Sequence, residues 1–152
     1  MFIQLSIYLI TSILAIMLFF SFVVAPVTFI SLNEENARKF IRKIFPFYYN
    51  TNLVLSIIVC IIFILLKSYN LNFYLILLVT ILFVVSNYIL MPLINKFRDQ
   101  GNDKKFKYFH FLSVVINFSQ ILLLLVILFF DISIVWVIWI KKIQVNSGKL
   151  FR

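Results

Sequence analysis

The sequence contains few of the residues on which phosphate loops, disulfides and metal sites depend. Its 152 residues include two glycines, three prolines, one cysteine and one histidine. Two isolated glycines do not form the glycine-rich loop that cradles a nucleotide phosphate. The single cysteine, Cys60, excludes an intramolecular disulfide, and no histidine lies near it in sequence to complete a zinc site. We therefore expect no metal and no cofactor, and we interpret Cys60 as a small buried side chain.

Acidic residues are scarce as well, and this argues against an enzyme. Hydrolytic and acid–base catalysis need a positioned carboxylate or a nucleophile with its base. None of the five acidic residues lies within the first three apolar runs of the chain, and Asp131 lies only at the edge of the fourth. We assign no catalytic residue, and a non-catalytic function is favoured.

Apolar residues, by contrast, dominate the composition. They make up 64% of the chain, aromatic residues make up 18%, and the mean hydropathy is +1.10. Such a chain has too few polar residues to cover a soluble globular surface. The net charge of +9 could indicate nucleic-acid binding, but the basic residues form short clusters between apolar runs, where they would meet lipid headgroups. The expected partner is the lipid bilayer and not nucleic acid; a second copy or another membrane protein is left open, and the small-molecule ligand is unknown.

Four apolar runs are long enough to cross a bilayer as helices, which takes about 20 residues. The predicted spans are residues 2–30, 47–66, 71–94 and 108–130. The first is longer than a straight crossing requires, and Pro26 is its expected kink. The fold class predicted is all-α: a single membrane domain, 1–152, in which short connections make sequential helices antiparallel neighbours in a four-helix bundle.

Two shorter segments are predicted to lie at the membrane surface. Residues 33–45 carry an apolar stripe opposite basic residues, which is typical of an interfacial helix, and Pro46 is expected to separate it from the second span with Phe45 as the hinge. Residues 132–140 contain two tryptophans and precede two lysines. Nine residues cannot cross a bilayer as a helix, so this segment is predicted to be interfacial or an extended end of the fourth helix.

The distribution of lysine and arginine predicts the orientation. The loops between spans one and two and between spans three and four hold nine basic residues, against five elsewhere. The positive-inside rule places both loops in the cytoplasm and both termini outside. The composition is rich in Ile, Asn, Lys and Phe, which is typical of an AT-rich gene. We take this as an indication of a bacterial origin, and we therefore expect a protein of the bacterial cytoplasmic (inner) membrane.

The fourth span carries a periodic set of polar residues. His110, Ser113, Asn117 and Gln120 are spaced i, i+3, i+7 and i+10, which places them on one helical face. Polar side chains facing lipid are costly, so we expect this face to turn inward, towards Thr80 and Asn87 of the third span. We further predict that Asn87 and Asn117 hydrogen-bond across helices or to water. The binding seam predicted from these patterns consists of His110, Ser113, Asn117, Asn87, Thr80 and Tyr48.

Several short motifs resemble those of the transmembrane protein 205-like family of small four-helix membrane proteins. They are Phe45-Pro46-x-Tyr48 before the second span, Asn87 with Pro92 late in the third, and His110-x-Leu112-Ser113 with Asn117 in the fourth. The resemblance rests on the order and spacing of these motifs, and it covers nearly the whole chain. The sequence departs from the family in its short loop between spans three and four and in its tryptophan-bearing end. Because the family has no established activity, the resemblance implies an architecture and not a reaction.

Two classes of function fit these features. In the first, the polar seam binds or helps to move a small solute. In the second, His110 serves haem or porphyrin handling, since imidazole is the usual protein ligand to haem iron. A purely structural membrane subunit is a further alternative.

Overall fold

All the described elements of the computed structural model are helices. The structure describes residues 2–150, with side chains for residues 2–130. The helices are α1 (Phe2–Ser31), α2 (Glu34–Leu65), α3 (Leu71–Asp99) and α4 (Asp103–Leu150). Each is long and apolar enough to cross a membrane, which confirms the predicted all-α architecture. Residues 132–140, predicted to be interfacial or an extended end of the fourth helix, lie outside the residues whose side chains are described.

The four helices pack as a ring. Each contacts its neighbours in sequence, and α4 closes the ring by packing against α1. The side chains of Ile10, Met17, Ile76 and Leu124 are among those fully buried at the centre. Large apolar side chains also cover the outside of the bundle, where lipid tails would solvate them. Burial of apolar area therefore does little to hold such helices together, and close packing and hydrogen bonds must do so.

Helices α1 and α3 share an irregularity near a proline. Each contains a single π-helical turn, Phe20–Val24 in α1 and Ser86–Leu90 in α3, and in each the proline follows two residues after the turn ends, at Pro26 and Pro92. Proline has no N–H, and its ring clashes with the carbonyl four residues earlier. An extra residue in the preceding turn relieves this conflict. The kink predicted at Pro26 thus takes the form of a π turn.

The third proline does not interrupt its helix. Helix α2 runs from Glu34 to Leu65 through Pro46, so the predicted hinge at Phe45 and the separate surface helix 33–45 are wrong. The Phe45 ring packs between Phe20, with ring centroids 5.2 Å apart, and Tyr49, at 5.7 Å. One of these contacts is between helices and the other is within α2. Together they keep Phe45 helical, although the residue before a proline disfavours the helical conformation.

The turns between the helices are short and well capped. Asn33, Asn70 and Asn102 each accept a hydrogen bond from the backbone N–H three residues later, at the starts of α2, α3 and α4. Lys67 and Gly101 follow the ends of α2 and α3 with positive φ, at 51° and 64°. The backbone bonds around them are those of the Schellman motif, which terminates a helix and reverses the chain.

The two basic loops meet at one end of the bundle, called the basic end below. The Arg98 guanidinium donates to Glu34 at 2.9 Å, and Arg42 pairs with Asp99. These contacts tie the start of α2 to the end of α3. They confirm that both loops lie on the same side.

We predict that close packing at the centre of the ring dominates stability. Ile76 is fully buried, whereas Ile81 on the same helix is 51% exposed. Ile76→Ala should lower the free energy of unfolding by about 2–5 kcal/mol, because it leaves a cavity. The matched Ile81→Ala should change it by less than about 0.5 kcal/mol. Unfolding by sodium dodecyl sulfate in mixed micelles measures both values, and equal losses would contradict the buried position of Ile76.

Candidate functional site: the polar seam

A hydrogen-bonded junction joins three of the four helices. The Tyr48 hydroxyl of α2 donates to Asn117 Oδ1 of α4 at 2.8 Å. The Asn117 amide in turn donates to Ser21 Oγ of α1 at 3.2 Å. Helices α2 and α4 lie diagonally in the ring, so the long Tyr48 side chain spans the centre of the bundle. We call this group of three residues the junction.

Two further pairs connect helices beside the junction. The Asn87 amide of α3 donates to Asn50 Oδ1 of α2 at 2.7 Å. The Asn87 side chain is buried, whereas Asn50 is exposed on the surface of α2. Tyr49 of α2 and Ser113 of α4 are both buried, and their side chains lie close enough to interact. The prediction that Asn87 and Asn117 hydrogen-bond across helices is therefore confirmed.

The two π turns supply further polar atoms to this region. The carbonyl of Ser21 would accept from Ala25 in a regular helix, but the Ala25 N–H bonds to Phe20 O, and Pro26 has no N–H. The same holds for Asn87, because the Met91 N–H bonds to Ser86 O and Pro92 follows. Both residues thus contribute a side chain to the seam and a carbonyl without its helical donor. Single π turns inside α-helices are frequently found at functional sites.

Two carboxamides deeper in the bundle are only half satisfied. Asn52 and Gln120 are fully buried, and their amide groups donate to backbone carbonyls, Tyr48 O at 2.8 Å and Val79 O at 3.2 Å. Carbonyls only accept, so the amide nitrogens must face them and the oxygens face away. Among the described residues neither Asn52 Oδ1 nor Gln120 Oε1 has a donor. A buried acceptor without a partner costs about 1–3 kcal/mol, so each oxygen favours an added N–H or O–H group.

Two of the predicted seam residues lie apart from this network. His110 is exposed at the basic end and stacks on Phe106, with ring centroids 5.7 Å apart. Thr80 is buried, and its hydroxyl bonds to the Ile76 carbonyl of its own helix and meets Cys60 of α2, with Sγ 3.5 Å from Oγ1. The prediction that His110 turns inward with Ser113 and Asn117 is wrong, because the helix end reaches water and polarity there does not force burial. The interpretation of Cys60 as a buried small residue is confirmed.

The chemistry available in the seam is neutral hydrogen bonding. Its side chains are hydroxyls and carboxamides, and within the described residues no three His, Cys, Asp or Glu side chains cluster as metal ligands would. The arrangement can recognise an uncharged polar group by donors and acceptors. The exposed position of His110 offers no buried pocket for a porphyrin beside these groups.

Four residues of the seam were not predicted from the sequence: Ser21, Tyr49, Asn50 and Asn52. One signal was available for Ser21. It stands five residues before Pro26, as Asn87 stands five residues before Pro92, so the two share a position relative to a proline-induced π turn. The other three depend on which face α2 turns inward as it continues through Pro46.

The family model of a domain of unknown function, DUF4149, matches residues 8–103. The matched segment includes most of α1 and all of α2 and α3, well over half of the chain. The chain belongs to the DUF4149 family. No curated protein and no solved structure matches it. Within this DUF4149 protein, Ser21, Tyr48 and Asn87 fall inside the matched segment, whereas Asn117 and Gln120 of α4 lie beyond it.

The junction generates a prediction about stability. Tyr48→Phe and Asn117→Leu should each be tolerated, and a double-mutant cycle should give a coupling near 0.6 kcal/mol and no more than about 1.7 kcal/mol, as for hydrogen bonds between membrane helices. Tyr88→Phe is the matched control, because Tyr88 is 63% exposed on the outside of α3. Its cycle with Asn117→Leu should give no coupling. A coupling of zero for Tyr48 as well would exclude a stabilising Tyr48–Asn117 bond.

Proposed function

We propose that the polar seam binds a small uncharged solute that donates hydrogen bonds, and that the protein helps this solute to cross the membrane. The observation that carries the proposal is the pair of buried oxygens, Asn52 Oδ1 and Gln120 Oε1, for which the described residues provide no donor. An N–H or O–H group of the solute, or of the water that accompanies it, would supply the donor that each of these oxygens lacks. The residues proposed to bind are Tyr48, Asn87, Ser113 and Asn117, with the additional members Ser21, Asn52 and Gln120.

The absence of charge along the described seam supports an uncharged solute. An ion moved from water into this region would lose its hydration without meeting an opposite charge, which is very costly. A neutral solute loses only hydrogen bonds to water, and the seam offers replacements. The π turns support binding as well, since each leaves a backbone carbonyl without its helical donor beside the seam.

Placement in the membrane and kinship are part of the proposal. The family motifs around Pro46, Pro92 and Asn117 support kinship with the transmembrane protein 205-like proteins within the broader DUF4149 assignment. The accumulation of basic residues at one end supports a cytoplasmic position for that end in a bacterial cytoplasmic membrane.

Flux measurements on proteoliposomes test the solute role. With urea and glycerol as uncharged probes, vesicles containing the protein should re-swell faster than empty vesicles after osmotic shock. Asn117→Leu should reduce the protein-dependent rate by up to about twentyfold, because a hydrogen bond between membrane helices is worth at most about 1.7 kcal/mol.

The control for the flux measurement is Ser119→Leu on the same helix, because the Ser119 hydroxyl donates to the backbone carbonyl of Val115, one turn earlier in α4. It should leave the rate unchanged. Rates equal to those of empty vesicles for the wild type would refute a solute role for these probes and favour a purely structural subunit.

Labelling of single cysteines tests the orientation. In a Cys60→Ala background, a membrane-impermeant maleimide should reach Lys67→Cys in intact cells, because Lys67 lies at the end opposite the basic loops. Lys105→Cys should react only after permeabilisation. The reverse pattern would place the basic end outside and overturn the assignment.

A further inference from the structure

A groove opens on the outside of the bundle between α1 and α2, at the level of the junction. Its volume is about 540 Å³, and its walls include Ala15, Phe19 and Val24 of α1 and Phe47 and Thr51 of α2. Several of these side chains are exposed, Phe47 by 73% and Phe19 by 61%, so the groove is open along its length. Nothing in its walls is charged.

The floor of the groove is aromatic and fixed from behind. Phe20 and Tyr48 both line it, and their rings stack with centroids 4.3 Å apart. The Tyr48 hydroxyl is held on the other side by Asn117. A floor held in this way keeps its shape, so an occupant would lose freedom without forcing the wall to reorganise.

The dimensions of the groove match one leaflet of a bilayer. From Lys43, at the basic end, to Thr51 the helix rises about 12 Å. Half of a typical hydrocarbon core is about 15 Å. An apolar chain that enters from the basic side would therefore lie in the groove along most of its length.

An exposed lysine, Lys43, lies about one helical turn before Phe47 of the wall, on the side of the basic end. It directly precedes Ile44, which also lines the groove. The ion pairs described at this end use Arg38, Lys39, Arg42 and Arg98, and Lys43 takes part in none of them. Its charge complements a lipid phosphate, and a lysine near the surface favours anionic lipid.

We propose that the groove between α1 and α2 is a binding site for one anionic phospholipid of the leaflet at the basic end, with an acyl chain on the Phe20–Tyr48 floor and the phosphate on Lys43. The site lies outside the seam and does not depend on the solute role proposed above.

Native mass spectrometry of the whole protein tests the site. The protein is released from nanodiscs that contain equal amounts of phosphatidylglycerol and phosphatidylethanolamine. One phosphatidylglycerol should be retained in preference to phosphatidylethanolamine. Lys43→Gln should lower its occupancy about fivefold, the effect expected of one lysine near the membrane surface, whereas Lys107→Gln at the same end should not.

Variants that fill the groove test the contribution of the acyl chain independently of the contribution of the headgroup. Ala15→Trp should abolish retention, and Thr51→Trp, from the opposite wall, provides a second filler if the first variant does not fold. Val84→Trp on α3, 42% exposed and remote from the groove, should retain the lipid. Equal retention of both lipids, no retention by the wild type, or retention unaffected by either filler would overturn the proposal.

Discussion

The structure depends on one constraint: backbone N–H and C=O groups must be hydrogen-bonded within the protein where no water is available. Three of the four spanning helices contain a proline, which makes this harder to achieve. Each proline removes one donor from a helix that must supply its own. At Pro46 the helix continues under the packing of Phe45 against Phe20 and Tyr49. At Pro26 and Pro92 a π turn absorbs the conflict. These two turns carry Ser21 and Asn87, so the backbone irregularity and the polar seam occupy the same place.

The seam adds directed hydrogen bonds to the close packing that holds the helices together. Lipid tails are as apolar as leucine, and burying apolar surface between helices gains little by comparison with packing and hydrogen bonding. The junction joins α1, α2 and α4 through Ser21, Tyr48 and Asn117, and Asn87 adds α3 through Asn50. The same polar groups specify the arrangement of the bundle and supply hydrogen-bond donors and acceptors to its interior. Asn52 and Gln120 favour a binding role over a purely structural one, because each has a buried oxygen for which no described residue provides a donor.

The basic end forms a second, weaker layer of organisation. Exposed ion pairs such as Arg98–Glu34 contribute little each and are screened by salt. Stacking of Phe97 on Phe109 and of the Arg98 guanidinium over Phe106 adds contacts that salt does not screen in the same way. Together they bring the ends of α2, α3 and α4 close to one another. Lys43 is exposed, takes part in none of the described ion pairs, and lies about one turn before Phe47 of the groove between α1 and α2.

The sequence by itself determined what the bilayer dictates: four spanning helices, the two basic loops at one end, and an inward face containing Ser113, Asn117 and Gln120. These features follow from length, charge and helical period, because hydrocarbon penalises polar groups wherever they face it. Only the tertiary structure decided the partners. Ring order and helix rotation place Asn117 against Tyr48 and Ser21, direct Thr80 to Cys60, and carry α2 through Pro46. His110 shares the helical period of the stripe yet lies outside it, because periodicity specifies a face while access to water at the helix end decides whether that face must be buried.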